Sequence, residues 1–256
     1  MVMGLDTFRE YFKGFESCYA LIGGAACDYW LSRVGLQARV TKDLDLVIII
    51  ESLDSNFVSR FWEFTRRGGY VAYTDKQSQN HYFRFENPTA SGYPEMLELF
   101  SRRPDAIYPA FPGAYTVIPV DAGIASLSAI LLDDEYYNFI LATLEHHEDL
   151  SLISAAGLIP LKARAFLDLS ERKASGQDID SRDIVKHKND IYRLALILGE
   201  EPLPAVTESI RNDLKGFFDL VPVSAIDLSV LRKETRFRLP IDGEALMSRI
   251  NSVYGL

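Results

Sequence analysis

Through the first 120 residues, short apolar runs alternate with amphipathic stretches; after that the helical period dominates. Residues 6–16 have the spacing of an amphipathic helix, and "CYALIG" (18–23) is a short apolar run closed by glycine, which predicts a strand. Residues 25–34 return to helical spacing, with Ala26, Trp30 and Val34 on one stripe. "DLVIII" (45–50) is a buried, β-branched strand. Phe57, Phe61 and Phe64 recur at helical intervals in 55–69, and Gly68-Gly69 supplies the stop. "NHYFRFEN" (80–87) and "EMLELF" (95–100) read as two strands separated by a turn segment. "AYTVIPV" (114–120) is a further strand after a proline-rich loop. From about residue 122, "IASLSAILLDDEYYNFILATLEHH", "LIPLKARAFLDLSERKA" and "SRDIVKHKNDIYRLALILG" all predict helices, as do 205–219 and 243–253. On this reading His146 and His147, in "LEHHED", lie at a solvated helix end. The pattern predicts an α+β (α/β) chain: a mixed sheet with flanking helices over residues 1–121, then a mainly helical part over 122–256.

Composition adds little to that picture. The 256 residues are 48% hydrophobic and 25% charged, ordinary for a globular chain. No stretch approaches the ~20 apolar residues of a membrane helix, and the N-terminus lacks the order of a signal peptide. A soluble, cytoplasmic protein without membrane partners is expected. Two cysteines, Cys18 and Cys27, make no disulfide framework or zinc motif. The net charge of −9 repels nucleic acid on average, so an RNA partner would need a local basic patch. Residues 159–193, with Lys162, Arg164, Arg172, Lys173, Arg182, Lys186, Lys188 and Arg193, are the candidate stretch.

Candidate chemistry begins at Asp43 and Asp45. In a strand, residues two apart share a face, so both carboxylates point one way while Leu44 and Leu46 point into the core. Paired acids repel, and burial raises their proton affinity. A divalent cation between them removes both penalties, and magnesium takes hard oxygen ligands while keeping positions open for water and phosphate. The acids precede their apolar run, so they stand at the start of the strand. Upstream, "LIGGAACDYW" is strand, Gly23-Gly24, helix, a turn whose free N–H groups suit phosphate. Arg39 and Lys42 border the aspartates and either touch phosphate or balance charge. Arg84, alternating with Phe83 and Phe85, either faces the same site or forms a surface ion pair.

These residues resemble the DNA polymerase beta-like nucleotidyltransferases, whose fingerprint is strand, Gly-Gly or Gly-Ser, helix, then Asp-x-Asp on the next strand. "LIGGAACDYWLS" with "ARVTKDLDLVI" looks more narrowly like the AbiEii/AbiGii toxin-like branch. The resemblance implies a third carboxylate in "YPEMLELF", with Glu98 the first choice and Glu95 the second. It implies one or two Mg2+ ions held by Asp43, Asp45 and Glu98, a nucleoside triphosphate substrate, and release of pyrophosphate as a nucleotidyl group passes to an acceptor. It also implies that Lys162 reaches a nucleotide phosphate and that Asp190 orients it. Without the resemblance, Lys162 reads as a lysine snorkelling from an apolar helix face and Asp190 as a helical partner of Lys186. The branch further implies tRNA or another macromolecule as acceptor, and an antitoxin protein as partner in a toxin–antitoxin or phage-defence pair.

Ala25 departs from the pattern, since many relatives carry Ser or Thr there to touch phosphate. That departure keeps open a non-catalytic member that binds nucleotide or a partner protein. The acidic chain keeps open a small-molecule nucleotidyltransferase with a cationic acceptor.

Overall fold

A computed structural model describes residues 2–38, 41–74, 82–102, 116–117, 130 and 133–256. The chain divides into two compact units: Met1–Asp28, Val40–Val120 and Leu144–Ile153 form the first, and Tyr29–Arg39, Asp121–Thr143 and Ser154–Leu256 the second.

The first unit is built on an eight-stranded mixed sheet. Its strands are β1 (Tyr19–Ile22), β2 (Asp43–Ile48), β3 (Val71–Thr74), β4 (Tyr82–Glu86), β5 (Met96–Phe100), β6 (Thr116–Val117), β7 (Leu144–His147) and β8 (Leu150–Ile153). Their spatial order is β6-β3-β4-β5-β2-β1-β8-β7. β2 runs parallel to β5 and antiparallel to β1, and β4 is antiparallel to β5. Facing residues in neighbouring strands lie on the same side of a sheet. The register therefore gathers Tyr19, Leu21, Leu44, Leu46, Ile48, Leu97, Leu99, Phe83 and Phe85 on one face.

All of those residues are buried, beneath the helices α1 (Leu5–Phe12) and α3 (Ser55–Gly68). Phe8 meets Tyr19 edge-on at 5.3 Å between ring centroids, and Phe61 meets Phe85 at 5.4 Å. Phe12 and Phe64 lie 5.3 Å apart and link the two helices. Each fully buried ring contributes roughly 1.5–3 kcal/mol of transfer free energy, so this aromatic layer is the main anchor of the unit. α3 begins where the Asp54 carboxylate accepts the Phe57 N–H, and it ends at Gly69, whose φ of 67° closes the helix in the left-handed region. The predicted Gly68-Gly69 stop is found as expected.

Three strands depart from the hydrophobic pattern. β3 follows α3 directly and is not announced by it. β7 and β8 replace the end of a predicted helix: α4 (Asp134–Ala142) stops at Thr143, and His146 and His147 stand on a strand. The hairpin turn is Glu148-Asp149, with φ of 50° and 59°. Two consecutive left-handed residues match the strand twist, but Asn-Gly is the usual choice. Without those residues the sequence carries no hairpin signal.

The second unit is helical: α5 (Ala155–Ala174), α6 (Ser181–Ala195), α7 (Glu208–Leu220), α8 (Leu228–Thr235) and α9 (Gly243–Tyr254) accompany α4 and the C-terminal end of α2 (Gly23–Arg33), the helix that follows β1. α5 packs on α6 and α7. Phe166 meets Phe217 at 5.0 Å, and the Tyr254 hydroxyl donates to the Ala156 carbonyl at 2.8 Å. The mixed sheet with its flanking helices and the helical remainder agree with the predicted class. No helix among the described residues is long and apolar enough to cross a membrane.

Candidate functional site

The register that buries Leu44, Leu46, Leu97 and Leu99 turns their neighbours to the second face. Asp45 stands beside Glu98 across the parallel β2–β5 pair, and Asp43 beside Met96. On the far side, Glu98 faces Arg84 of β4. Asp45, Glu98 and Arg84 thus form one row across three strands, with Asp43 one pleat away. Glu98 is 8% exposed. Arg84 donates to Glu98 Oε1 twice, from Nη2 at 2.8 Å and from Nε at 3.1 Å.

Asp45 is held well above the usual carboxylate range. Burial is the largest cause, followed by the charge of Glu98, a hydrogen bond shared with the Glu98 carboxyl, and the charge of Asp43. The Gly24 N–H donates to Asp45 and pulls weakly the other way.

That last contact explains the glycines. Gly23 has φ of 66°, a region costly for any residue with a side chain. A Cβ there would lie 1.8 Å from Asp45 Oδ2, closer than two non-bonded atoms can approach. The helix α2 therefore starts against the carboxylate because Gly23 has no side chain. In the structure as it stands, the Gly24 N–H is directed at Asp45. Ala25 is 1% exposed, so its methyl group is part of the core.

The other expected site residues are distributed differently. Lys42 pairs with Glu95 at 2.9 Å, on a well-exposed rim. Arg39 lies outside the described residues. Lys162 and Asp190 belong to the second unit and are brought together there: Lys162 Nζ is 2.8 Å from Asp190 Oδ2, with both side chains buried. Asp190 also receives Arg193 at 3.0 Å, and Arg193 reaches Glu234 at 2.9 Å. The local alternative fails, because Lys186 turns to Asp183 at 2.9 Å.

The same pairing runs through the basic stretch. Arg164 is matched by Asp213, Arg172 by Asp168 and Arg182 by Asp180, while Lys173 is bonded to the Ile179 carbonyl and the Ser181 hydroxyl. The stretch that looked like a patch for a polyanion is largely neutralised by its own acids.

Whether the carboxylates suit a metal is decided by donor chemistry and by placement. The donors are hard oxygens, and the raised proton affinity of Asp45 is the electrostatic condition that a divalent cation relieves. Among the described residues, however, no three His, Cys, Asp or Glu side chains converge tightly enough to enclose an ion as they stand. Asp43, Asp45 and Glu98 fit a cation by type and charge, with Glu98 committed in part to Arg84. Arg84 is the residue that sequence reasoning left undecided. Its signal was present, since Phe83-Arg84-Phe85 and Leu97-Glu98-Leu99 carry opposite charges in the same phase.

A crystal structure of an antigenic nucleotidyltransferase-like protein from Paracoccidioides brasiliensis aligns over 90% of this chain and 90% of that chain, with 16% identity and a TM-score of 0.46. No family model matches the chain, and no curated protein matches it in sequence.

Proposed function

We propose that this chain is a nucleotidyltransferase that passes a nucleotidyl group from a nucleoside triphosphate to an acceptor, with pyrophosphate leaving. One observation carries the reading: Asp43, Asp45 and Glu98 share a face of the sheet in fixed register, and Gly23 lacks the Cβ that would collide with Asp45. Residues kept together at such electrostatic cost, in a protein of marginal net stability, point to chemistry rather than to packing. Asp43 and Asp45 would hold magnesium, with Glu98 as the third ligand; the ion supplies charge neutralisation on the phosphates and a more acidic attacking hydroxyl. Glu98 accepts the proton of that hydroxyl, while Arg84 keeps its carboxylate in the row. Lys162, oriented by Asp190, remains the proposed phosphate contact of the helical unit on the strength of the sequence resemblance.

A small cationic acceptor is the second reading for the same chemistry. The neutralised basic stretch favours it over tRNA, because phosphate backbones need unpaired lysines and arginines. A toxin paired with an antitoxin protein belongs to the tRNA version of the proposal.

The test is incubation of the protein with each labelled nucleoside triphosphate and magnesium, in the presence of total tRNA or of an aminoglycoside-type polyamine. Label on tRNA supports the macromolecular acceptor, and label on the polyamine supports the small one. Triphosphate bound with no transfer to any acceptor returns the chain to the non-catalytic alternative. Asp43→Asn with Asp45→Asn is expected to abolish magnesium-dependent triphosphate binding, and retention of that binding would show the site to be misassigned.

A further inference from the structure

The helical unit carries a second group of cations, at the C-terminal end of α8 (Leu228–Thr235), and its own acids do not neutralise it. Residues 232–239 read "RKETRFRL", four cations and one acid in a chain of net charge −9. The acid is Glu234, and Arg193 occupies it at 2.9 Å. Arg232, Lys233, Arg236 and Arg238 are exposed, and among the described residues Lys233, Arg236 and Arg238 make no ion pair. The chain folds back on the last helical turn: the Phe237 N–H donates to the Arg232 carbonyl at 3.0 Å, and the Arg236 N–H to the Lys233 carbonyl at 3.2 Å. Arg232 clasps this turn by donating to the carbonyls of Phe237 at 3.2 Å and Arg238 at 2.9 Å. All four cations therefore gather at one end of the helix. The acids Asp227 and Asp242 lie at the other end, since Asp227 caps the first turn of α8 and Gly243, next to Asp242, lies against Leu228.

A turn of this kind ends in the left-handed conformation, for which glycine is the usual residue. Arg236 fills that position with φ of 57°. A side chain there strains the backbone, and among the described residues this one makes no ion pair or side-chain hydrogen bond in return. Cations do favour a helix C-terminus, but Lys233 supplies that charge from within the helix and without strain. An arginine kept at a glycine position, beside three further cations, points to a partner outside the chain. Along Arg236-Phe237-Arg238-Leu239 the cations alternate with apolar side chains, of which Phe237 is half-buried and Leu239 is 66% exposed. Cations that track phosphates, interleaved with apolar groups that receive bases, make up the surface that single strands bind. A lipid surface asks instead for a broad apolar face, which Leu239 and Val230 do not supply.

We propose that the C-terminal turn of α8 binds single-stranded RNA, the form in which RNA offers unpaired bases in loops, bulges and ends. Lys233, Arg236 and Arg238 take phosphates, Arg232 holds the turn in shape, and Phe237 and Leu239 lie against bases. This surface belongs to the helical unit and does not rest on the nucleotidyltransferase reading, because it needs neither a metal nor a triphosphate.

The experiment is fluorescence anisotropy of a labelled single-stranded RNA of about 20 nucleotides with the full chain, in chelator and over a range of salt. Circular dichroism establishes that each variant is folded. Lys233→Gln with Arg236→Gly and Arg238→Gln is expected to weaken binding at least about tenfold and to lower the slope of log affinity against log salt by about 2. Arg172→Gln with Arg182→Gln and Lys186→Gln removes the same number of charges from positions that have acidic partners, and its affinity should stay within about threefold of wild type. Arg236→Gly alone is expected to weaken binding while raising the thermal midpoint, a split that a purely structural arginine would not produce. It decides the matter if the triple variant does not fold. Equal losses in the two triple variants, absence of RNA binding by wild type, or tighter binding to duplex RNA or to phosphatidylserine vesicles would each overturn the proposal. None of these results touches the proposed transfer reaction, and failure of that reaction leaves RNA binding as it is.

Discussion

The two units both bury ionised side chains, and they balance them in opposite ways. In the helical unit, Asp190 sits between Lys162 and Arg193, with Glu234 beyond, so two cations meet two anions. On the sheet, Asp45 is crowded by Glu98 and Asp43, and the Arg84 guanidinium pairs with Glu98. A balanced cluster lowers the cost of its own burial. An unbalanced one keeps its cost until something from outside supplies the missing charge. Burial of charge is therefore no guide to function by itself, whereas the sign and size of the residual charge are.

The most damaging way to break the comparison is to unbalance the helical cluster. Asp190→Ala leaves Lys162 and Arg193 buried without their carboxylate, and a loss of about 3–5 kcal/mol is expected in urea unfolding. A loss below about 1 kcal/mol would mean that the cluster is solvated and the contrast is false.

Gly23→Ala attacks the other side. It imposes a left-handed conformation on a residue with a side chain and presses a Cβ against Asp45. A loss of about 1–3 kcal/mol is expected, together with weaker cation binding as Asp45 is displaced. Retained binding in a stable Gly23→Ala protein would dissociate the glycine from the carboxylate.

Asp45→Asn sharpens the contrast in the opposite direction. Relief of like-charge crowding is expected to stabilise the metal-free protein at pH 7 by roughly 0.5–1 kcal/mol, while nucleotide binding is lost. The pH dependence follows from the same group. Folding raises the proton affinity of Asp45 above its ordinary value of 3.8, so the folded state holds its proton longer than the unfolded chain. Its contribution is therefore greatest below that value and is lost as pH rises through the raised folded pKa. In the presence of a chelator, the unfolding midpoint of wild type minus that of Asp45→Asn should fall across that window; a constant difference would show that Asp45 does not titrate there.

The smallest effect is expected away from both clusters, at the β7–β8 turn. Asp149→Gly removes a side chain from a residue with φ of 59° and forfeits only the exposed ion pair with Lys13, so a gain of about 0.4–1 kcal/mol is expected in thermal unfolding.

Much of this was legible in the chain because two periods were clean. The alternation in "DLDLVI" and "MLELF" placed the acids and the leucines on opposite faces, and the phenylalanines of 55–69 marked the helix that covers the leucines. The hairpin at 144–153 was illegible for a physical reason: its turn uses Glu148 and Asp149 where glycine or asparagine would have announced it, and "YYNFILATLEHH" suits a helix equally well. Arg84 needed the register between β4 and β5, which no single segment contains. The partners of Lys162 and of the basic stretch lie up to 49 residues away, as in Arg164 with Asp213, so composition could count the cations but not their neutralisation.

The parallel pairing of β2 with β5 carries a consequence for folding as well. Asp45 and Glu98 are joined only when strands 53 residues apart align, and a slip of one residue would turn Glu98 into the aromatic layer with Phe61, Phe64 and Phe85. An ionised carboxylate there would be stranded without a partner, at a cost of several kcal/mol. The acids proposed to serve chemistry thereby exclude the nearest wrong alignment of the sheet, and a chain in which all three were made apolar would lose its means of telling the correct alignment from its neighbour.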